Sequence, residues 1–192
     1  VDSIYNGSAT VATSPIPKIT TGHNENSNPY TQNIEKAKEL LAEAGYADGF
    51  NIVLNVNEDN QRVDTAVVIQ DNLKAIGINV EIKTYQWASY VAFVENPAQE
   101  KGMFLMAWNI ANDDPDELLY PLYHSSQIDA HTNVVFYKNE EFDNLISKAR
   151  ETTDKEKRIE LYKKAQDIIQ EELPHYAILY PMQNFAYKKS IK

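Results

Sequence analysis

The sequence contains no cysteine and little glycine. The absence of cysteine among 192 residues excludes a disulfide framework, a thiolate nucleophile and a cysteine-based zinc site. The six glycines are scattered, and none follows a predicted strand in the Gly-x-Gly-x-x-Gly arrangement that cradles a phosphate. Long apolar runs are also lacking. The longest, residues 103–108, has the length of a strand and falls far short of the roughly 18–20 residues that span a bilayer.

Positive charge is scarce as well. The chain carries 18 Lys and Arg against 28 Asp and Glu, which gives a formal net charge of −10. Nucleic-acid binding needs clustered Lys and Arg that displace counterions from phosphates. The basic pair Lys188-Lys189 is typical of a solvated tail instead. We therefore expect no nucleic-acid partner.

Helices and strands alternate after residue 33. Asn33 is a predicted helix N-cap, and Gly45 and Gly77 are each placed to end a helix. This alternation predicts an α/β sheet with helices packed on it. The last strand, at 103–108, is apolar at every position, which favours a central strand covered on both faces. The predicted elements are a helix at 34–44, a strand at 51–57, a helix at 62–76, a strand at 79–85, a helix at 86–96 and a strand at 103–108.

The C-terminal third is mainly helical. Thr153 and Glu156 form a predicted capping box for the second of two helices, and Pro174 ends that helix. Residues 7–32, by contrast, are rich in Ser, Thr, Asn, Gly and Pro, a composition typical of an irregular lead-in. No linker interrupts 33–192, so we expect a single domain. The predicted elements here are helices at 139–152 and 154–173 and strands at 176–181 and 184–187.

No arrangement of residues indicates catalysis or a metal site. The four histidines lack the spacing and the third ligand of a zinc site, and the serines lack a nucleophile elbow. The acidic run 113–117 lacks the spacing of a calcium loop. A helix start explains it better, with Asp114 at N-cap, Pro115 at N1 and Glu117 at N3, and this leaves Asp113 unassigned. We therefore expect no catalytic residue, metal or cofactor.

Aromatic residues fall where predicted strands end. Tyr85 ends one strand and Trp108 ends another, and the carboxyl edge of an α/β sheet is where such folds place ligands. Amphipathic rings at this edge can cover a solute while they hydrogen-bond to it. Trp108 is followed by the polar residues Asn109, Asn112 and Asp113. These residues, with Tyr85, are the predicted lining of a solute-binding cleft.

Recognisable motifs run in order along nearly all of the chain. They are Ser14-Pro15-Ile16-Pro17, residues 35–46 with Gly49-Phe50, residues 73–78, Tyr85-Gln86-Trp87-Ala88-Ser89-Tyr90, Trp108 with Asp114-Pro115, residues 139–146, and residues 158–166 leading to Pro174. Each motif alone is unspecific, but the ordered set is specific. It resembles the C-terminal lobe of the oligopeptide- and dipeptide-binding proteins of ABC importers, solute-binding protein family 5.

The resemblance implies a periplasmic-binding-protein-like α/β lobe, with a mixed sheet flanked by helices. Residues 1–192 would form this single lobe of a larger two-lobed receptor, with 1–32 and 182–192 approaching the crossings to the other lobe. The implied function is that of a monomeric, non-enzymatic receptor that delivers peptides to the membrane permease of an ABC importer. Its implied place is extracytoplasmic, either periplasmic or as a cell-surface lipoprotein. The implied ligand-binding residues are Trp108, Asn109, Ala111, Asn112, Asp113 and Tyr85.

One position departs from the family pattern. Peptide binders of this kind carry an Asp three residues after the Trp, which pairs with the ligand's α-ammonium, whereas this chain has Ala111. Loss of such a charge-assisted partner would forfeit about 2–5 kcal/mol of amine recognition. Either Asp113 takes the role, or backbone and aromatic groups hold the solute. The open alternatives are a receptor for an oligosaccharide or metal chelate, a hydrolase that uses Asp113 and Asp114, and a sensory or adhesion module.

Overall fold

The structure, a computed structural model, describes residues 2–24, 30–182 and 186–188. These residues form a parallel sheet with helices packed on it, a layer of C-terminal helices and a two-stranded ribbon. In chain order the elements are α1 (Asp2–Tyr5), β1 (Ala9–Val11), α2 (Ile34–Glu43), β2 (Phe50–Asn57), α3 (Asn60–Lys74), β3 (Ile78–Tyr85), α4 (Trp87–Glu95), β4 (Met103–Phe104), α5 (Asp116–Tyr123), a 3₁₀ turn (Ser125–Gln127), α6 (Glu140–Glu151), α7 (Lys155–Glu172) and β5 (Leu179–Pro181).

The parallel sheet has the strand order β3-β2-β4. β2 and β3 pair over their whole length, from Phe50 opposite Ile78 to Asn57 opposite Tyr85. The predicted α/β class is confirmed. The described strands form two separate sheets, because the antiparallel pair β1 and β5 does not join the parallel one.

The prediction of a central strand at 103–108 is wrong. β4 covers only Met103–Phe104 and pairs with β2 at the edge of the sheet, so β2 is the central strand. The Leu105 N–H still donates to the Asn55 carbonyl at 3.1 Å. The Leu105 carbonyl, however, accepts from the Tyr90 hydroxyl at 2.5 Å. Because this side chain replaces a strand partner, the chain leaves the sheet and runs on as an irregular segment.

Caps and glycines fix the elements around the sheet. The side chains of Asn33 and Asp59 each accept a backbone N–H bond from the first turn of the helix that follows. Gly45 and Gly77 have φ values of 87° and 86° at the ends of α2 and α3, as predicted. A Cβ at Gly49 would lie 1.9 Å from the Gly77 carbonyl oxygen, so only glycine fits where the chain enters β2.

The helices α5, α6 and α7 share a second core. Its largest fully buried side chains include Leu119, Phe142, Ile146 and Tyr162. The predicted capping box at Thr153 is not the one that forms. Asp154 is the N-cap of α7 and accepts from the backbone N–H groups of the next turn at 3.1 and 3.2 Å, because its carboxylate also suits the positive end of the helix dipole.

The ribbon joins the two ends of the described chain. β1 pairs with β5 in antiparallel register, with Thr10 opposite Tyr180. The lead-in 7–32 therefore contains one short strand that its composition did not predict, because its partner lies far away in sequence. The predicted strand at 176–181 is shorter than expected, and that at 184–187 lies partly outside the described residues. Residues 186–187 are described and are not part of a strand.

Candidate functional site

The carboxyl ends of the three parallel strands meet at one edge of the sheet. Asn57 and Tyr85 end β2 and β3 as register partners, and the Glu58 N–H donates to the Tyr85 carbonyl at 2.9 Å. The chain after β4 leaves the sheet from the same edge at Leu105. Tyr85 therefore lies at this edge as the last residue of β3, whereas Trp108 does not end a strand and follows β4 in an irregular segment.

Tyr85 belongs to an aromatic cluster at this edge. Its hydroxyl donates to Asn55 Oδ1 at 3.0 Å, and its ring stacks on Phe93 with a centroid distance of 5.1 Å. Tyr90, fully buried beneath it, has its pKa raised to about 12 by burial. Tyr85 is itself half-buried, so its hydroxyl and one face are already used within the protein.

Residues 108–113, here named the Trp108 loop, form an exposed turn held by one glutamate. The Trp108 indole N–H donates to the main-chain carbonyl of Glu117 at 2.7 Å. The backbone N–H groups of Ala111 and Asn112 donate to the Glu117 carboxylate at 2.7 and 2.8 Å, and Asn112 Nδ2 donates to it at 2.5 Å. The Trp108 side chain remains 41% exposed.

Asp113 ends the Trp108 loop and is bound by a residue from the lead-in segment. The backbone N–H and the hydroxyl of Thr21 each donate to one oxygen of the Asp113 carboxylate at 2.5 Å. These two bonds, with the hydroxyl bond the stronger influence, lower the pKa of Asp113. The segment that carries Thr21 is itself fixed by buried Gln166 of α7, whose amide donates to the Gly22 carbonyl at 2.8 Å.

Asp114 and Pro115 anchor the Trp108 loop from beneath. Asp114 accepts the backbone N–H of Asp116 at 2.9 Å. The predicted register of this helix start is off by one residue, because α5 begins at Asp116 and Pro115, not Asp114, occupies the N-cap position. Its carboxylate also forms an ion pair with Arg158, with both N–O distances at 3.0 Å. Arg158 in turn donates to the Tyr162 hydroxyl at 2.9 Å. Pro115 is buried. Asp114 is thus a structural carboxylate that is paired with a cation.

The structure brings most of the predicted residues together. Trp108, Asn109, Ala111, Asn112 and Asp113 lie on one exposed loop. Tyr85 lies in the aromatic cluster, where it contacts Tyr90, whose hydroxyl donates to the Leu105 carbonyl ahead of the loop. The sequence reasoning missed the groups that hold this loop, namely Thr21, Glu117 and Arg158. Of these three, only Glu117 was assigned a role from the sequence. It was predicted as the N3 residue of the helix start, with its carboxylate at the positive end of the helix dipole.

The charged side chains of the site do not form a metal centre. Among residues 2–24, 30–182 and 186–188, no group of three or more His, Asp or Glu is arranged to hold an ion. Within the same described ranges, none of the helices has the length and apolar character needed to cross a bilayer. The arrangement offers an aromatic face, amides and backbone groups, which suit recognition of an organic solute.

Comparisons with known proteins agree on one family. The sequence model described as bacterial extracellular solute-binding proteins, family 5 Middle, matches residues 1–130. Heme-binding protein A of Haemophilus influenzae is 35% identical over 91% of this chain and 32% of its own length. The dipeptide-binding protein of Escherichia coli is 31% identical over 100% of this chain and 36% of its own. The chain spans about a third of the length of such curated relatives.

A solved structure shows the same fold. The periplasmic binding protein DppA of Helicobacter pylori, in complex with the peptide STSA, superposes with a TM-score of 0.87. The two chains are 35% identical, and the match covers 94% of this chain and 35% of that one. The likeness therefore extends over nearly all of the fold described above.

Proposed function

The chain belongs to the bacterial extracellular solute-binding proteins of family 5, and from this premise we propose that it is the peptide-binding lobe of an ABC importer's receptor. The observation that carries the proposal is the Trp108 loop itself. Its backbone is fixed by hydrogen bonds, yet the Trp108 ring and the Asn109 side chain stay exposed. Exposed aromatic and amide groups on a fixed loop are typical of a surface that a ligand covers.

The exposed groups that the loop offers to a solute are the Trp108 ring, the Asn109 side chain and the Asp113 carboxylate. Ala111 provides no charge, and both oxygens of Asp113 already accept hydrogen bonds from Thr21. Each carboxylate oxygen has a second lone pair and Asp113 is exposed, so a peptide α-ammonium can bind beside Thr21 without displacing it. Both modes that the sequence left open, recognition by Asp113 and recognition by aromatic and backbone groups, are therefore compatible with this geometry. The relatives named as dipeptide- and oligopeptide-binding proteins support a peptide as the solute.

This chain would form one lobe of a two-lobed receptor that closes on its solute. The antiparallel pairing of β1 with β5 supports this, because it sets residues near 10 and near 180 side by side, as two segments that cross between lobes would run. The coverage of about a third of each relative leaves room for the second lobe. The receptor would act as a monomer outside the cytoplasmic membrane, periplasmic or lipid-anchored, with the importer's permease as its partner and without catalysis.

Calorimetry on the intact receptor that contains this sequence tests the proposal. We expect di-, tri- and oligopeptides to bind, and Trp108→Ala to weaken the tightest of them by about 10-fold or more, since a buried aromatic anchor contributes most at such sites. Tyr46→Ala is the matched control, because Tyr46 is also exposed, at 53%, but lies just before β2, at the opposite end of the strand from the candidate site. Unchanged affinity in Trp108→Ala would refute the site.

A non-peptide solute is the second candidate function. Ala111 favours it, because this position lacks the carboxylate that would pair with a free amine there. One relative is named for heme, a metal chelate, and is 35% identical to this chain. A calorimetric screen of metal chelates and oligosaccharides beside peptides separates the two. Tight binding of free-amine peptides would eliminate this candidate, and binding of a chelate or sugar alone would eliminate the peptide.

A further inference from the structure

Glu117 is distinguished from its neighbours by the direction of its contacts. Of the three acidic residues 114, 116 and 117 at this helix start, Asp114 pairs with Arg158 and Asp116 accepts from Tyr162 at 3.0 Å, both within the helical layer. The Glu117 carboxylate instead accepts its hydrogen bonds from the Trp108 loop.

From this geometry we propose that Glu117 is a positioning residue, which sets the conformation of the Trp108 loop for the solute without needing to touch the solute. The inference rests on the proposed function of that loop.

Two features of Glu117 act on the loop at once. Its main-chain carbonyl accepts the Trp108 indole N–H at 2.7 Å, which fixes the orientation of the ring. Its carboxylate oxygen Oε2 accepts the consecutive backbone N–H groups of Ala111 and Asn112, at 2.7 and 2.8 Å. Two successive N–H groups that converge on one anionic oxygen form a nest, so the carboxylate holds the turn as a bound anion would. Oε1 holds the Asn112 side chain at 2.5 Å.

The Trp108 loop needs such a fixed point. Residues 105–113 belong to no strand and no helix, so no regular ladder restrains them. Trp108 and Asn109 are nonetheless residues that the proposed site offers to solute. A loop that is ordered before binding loses less conformational entropy when the solute arrives. Glu117 therefore acts on affinity through preorganisation.

Amide hydrogen exchange in the 192-residue chain measures how well the Trp108 loop is ordered. In Glu117→Ala we expect the Ala111 and Asn112 amides to exchange about 10- to 100-fold faster, because they lose charge-assisted acceptors. Glu117→Gln retains one oxygen acceptor and should stay within about 3-fold of the natural chain. Glu140→Ala is the matched control, since Glu140 is also a first-turn glutamate and is exposed. It should leave both amides unchanged.

Peptide affinity of the intact receptor supplies the second readout. We expect Glu117→Ala to weaken binding about 10-fold, and Glu117→Gln to restore most of it. Unchanged exchange in Glu117→Ala overturns the proposal, as does faster exchange with unchanged affinity, which would make the role structural alone. If the natural receptor bound no solute, the proposed function would fail, and the exchange data would still show whether Glu117 orders the loop.

Discussion

Replacement of Arg158 by methionine tests the support beneath the Trp108 loop. The guanidinium makes two contacts of 3.0 Å to Asp114, donates to the Ala149 carbonyl at 3.1 Å and donates to the Tyr162 hydroxyl at 2.9 Å. Methionine keeps much of the apolar stem but none of these donors. Arg158→Met therefore leaves the Asp114 carboxylate without its cation, and the Ala149 carbonyl and the Tyr162 hydroxyl without their donor.

The expected cost lies between two known limits. An exposed ion pair contributes about 0–1 kcal/mol, and breaking a fully buried one costs about 3–5 kcal/mol. The side chains of Arg158 and Asp114 are 29% and 36% exposed, so solvent screens them in part. We expect Arg158→Met to lower the free energy of unfolding by about 2 kcal/mol, equivalent to a fall of about 4–8 °C in Tm for a chain of this size.

Urea unfolding followed by far-UV circular dichroism measures this cost. The matched control is Lys164→Met, because the Lys164–Glu160 pair on the same helix is closer, at 2.7 Å, but its side chains are 58% and 66% exposed. That variant should change stability by less than about 0.5 kcal/mol. If the two variants cost the same, the reasoning that burial and multiple acceptors decide the contribution of Arg158 is refuted.

Three further predictions concern other parts of the molecule. Gly49→Ala should lower unfolding stability by about 3 kcal/mol or more in the same urea assay, because its Cβ would overlap the Gly77 carbonyl oxygen; a cost below about 1 kcal/mol would contradict the close approach. Burial lowers the pKa of His175 to about 4 from 6.5, so the unfolded chain takes up a proton first and stability should decline as pH falls from 6.5 toward 4, by at most about 3 kcal/mol. His175→Phe should remove that part of the pH dependence, and an unchanged slope would show that the ring is solvated. Thr21→Val should raise the pKa of Asp113 toward its ordinary value in an NMR titration, since the hydroxyl bond is its main cause; no change would show that the bond does not form in solution.

Local sequence signals predicted the α/β part of the fold. Asn33, Gly45 and Gly77 act through their own backbone neighbourhoods, so the ends of α2 and α3 followed from residue type. The strand predicted at 103–108 was too long, because an apolar run does not show where the pairing with the neighbouring strand β2 stops. Tyr90 of α4 donates a hydrogen bond to the Leu105 carbonyl, and this bond replaces further pairing with β2.

The candidate loop was predicted, but the groups that hold it were not. Trp108 and the polar residues after it stand out because an aromatic residue at a strand end is a local pattern. The partners of the loop are distant or ambiguous in sequence: Thr21 meets Asp113 from 92 positions away, and Arg158 meets Asp114 from 44. Glu117 was assigned to the N-terminus of its own helix, because a glutamate at N3 usually bonds to the cap of that helix.

A crystal structure of the intact receptor with a bound peptide would show whether the Trp108 loop contacts the solute. We expect the peptide to contact the Trp108 ring and Asn109 within about 4 Å, while the Glu117 carboxylate still accepts from the backbone N–H groups of Ala111 and Asn112. A peptide bound against another surface, with the Trp108 loop open to solvent, would contradict the proposed site.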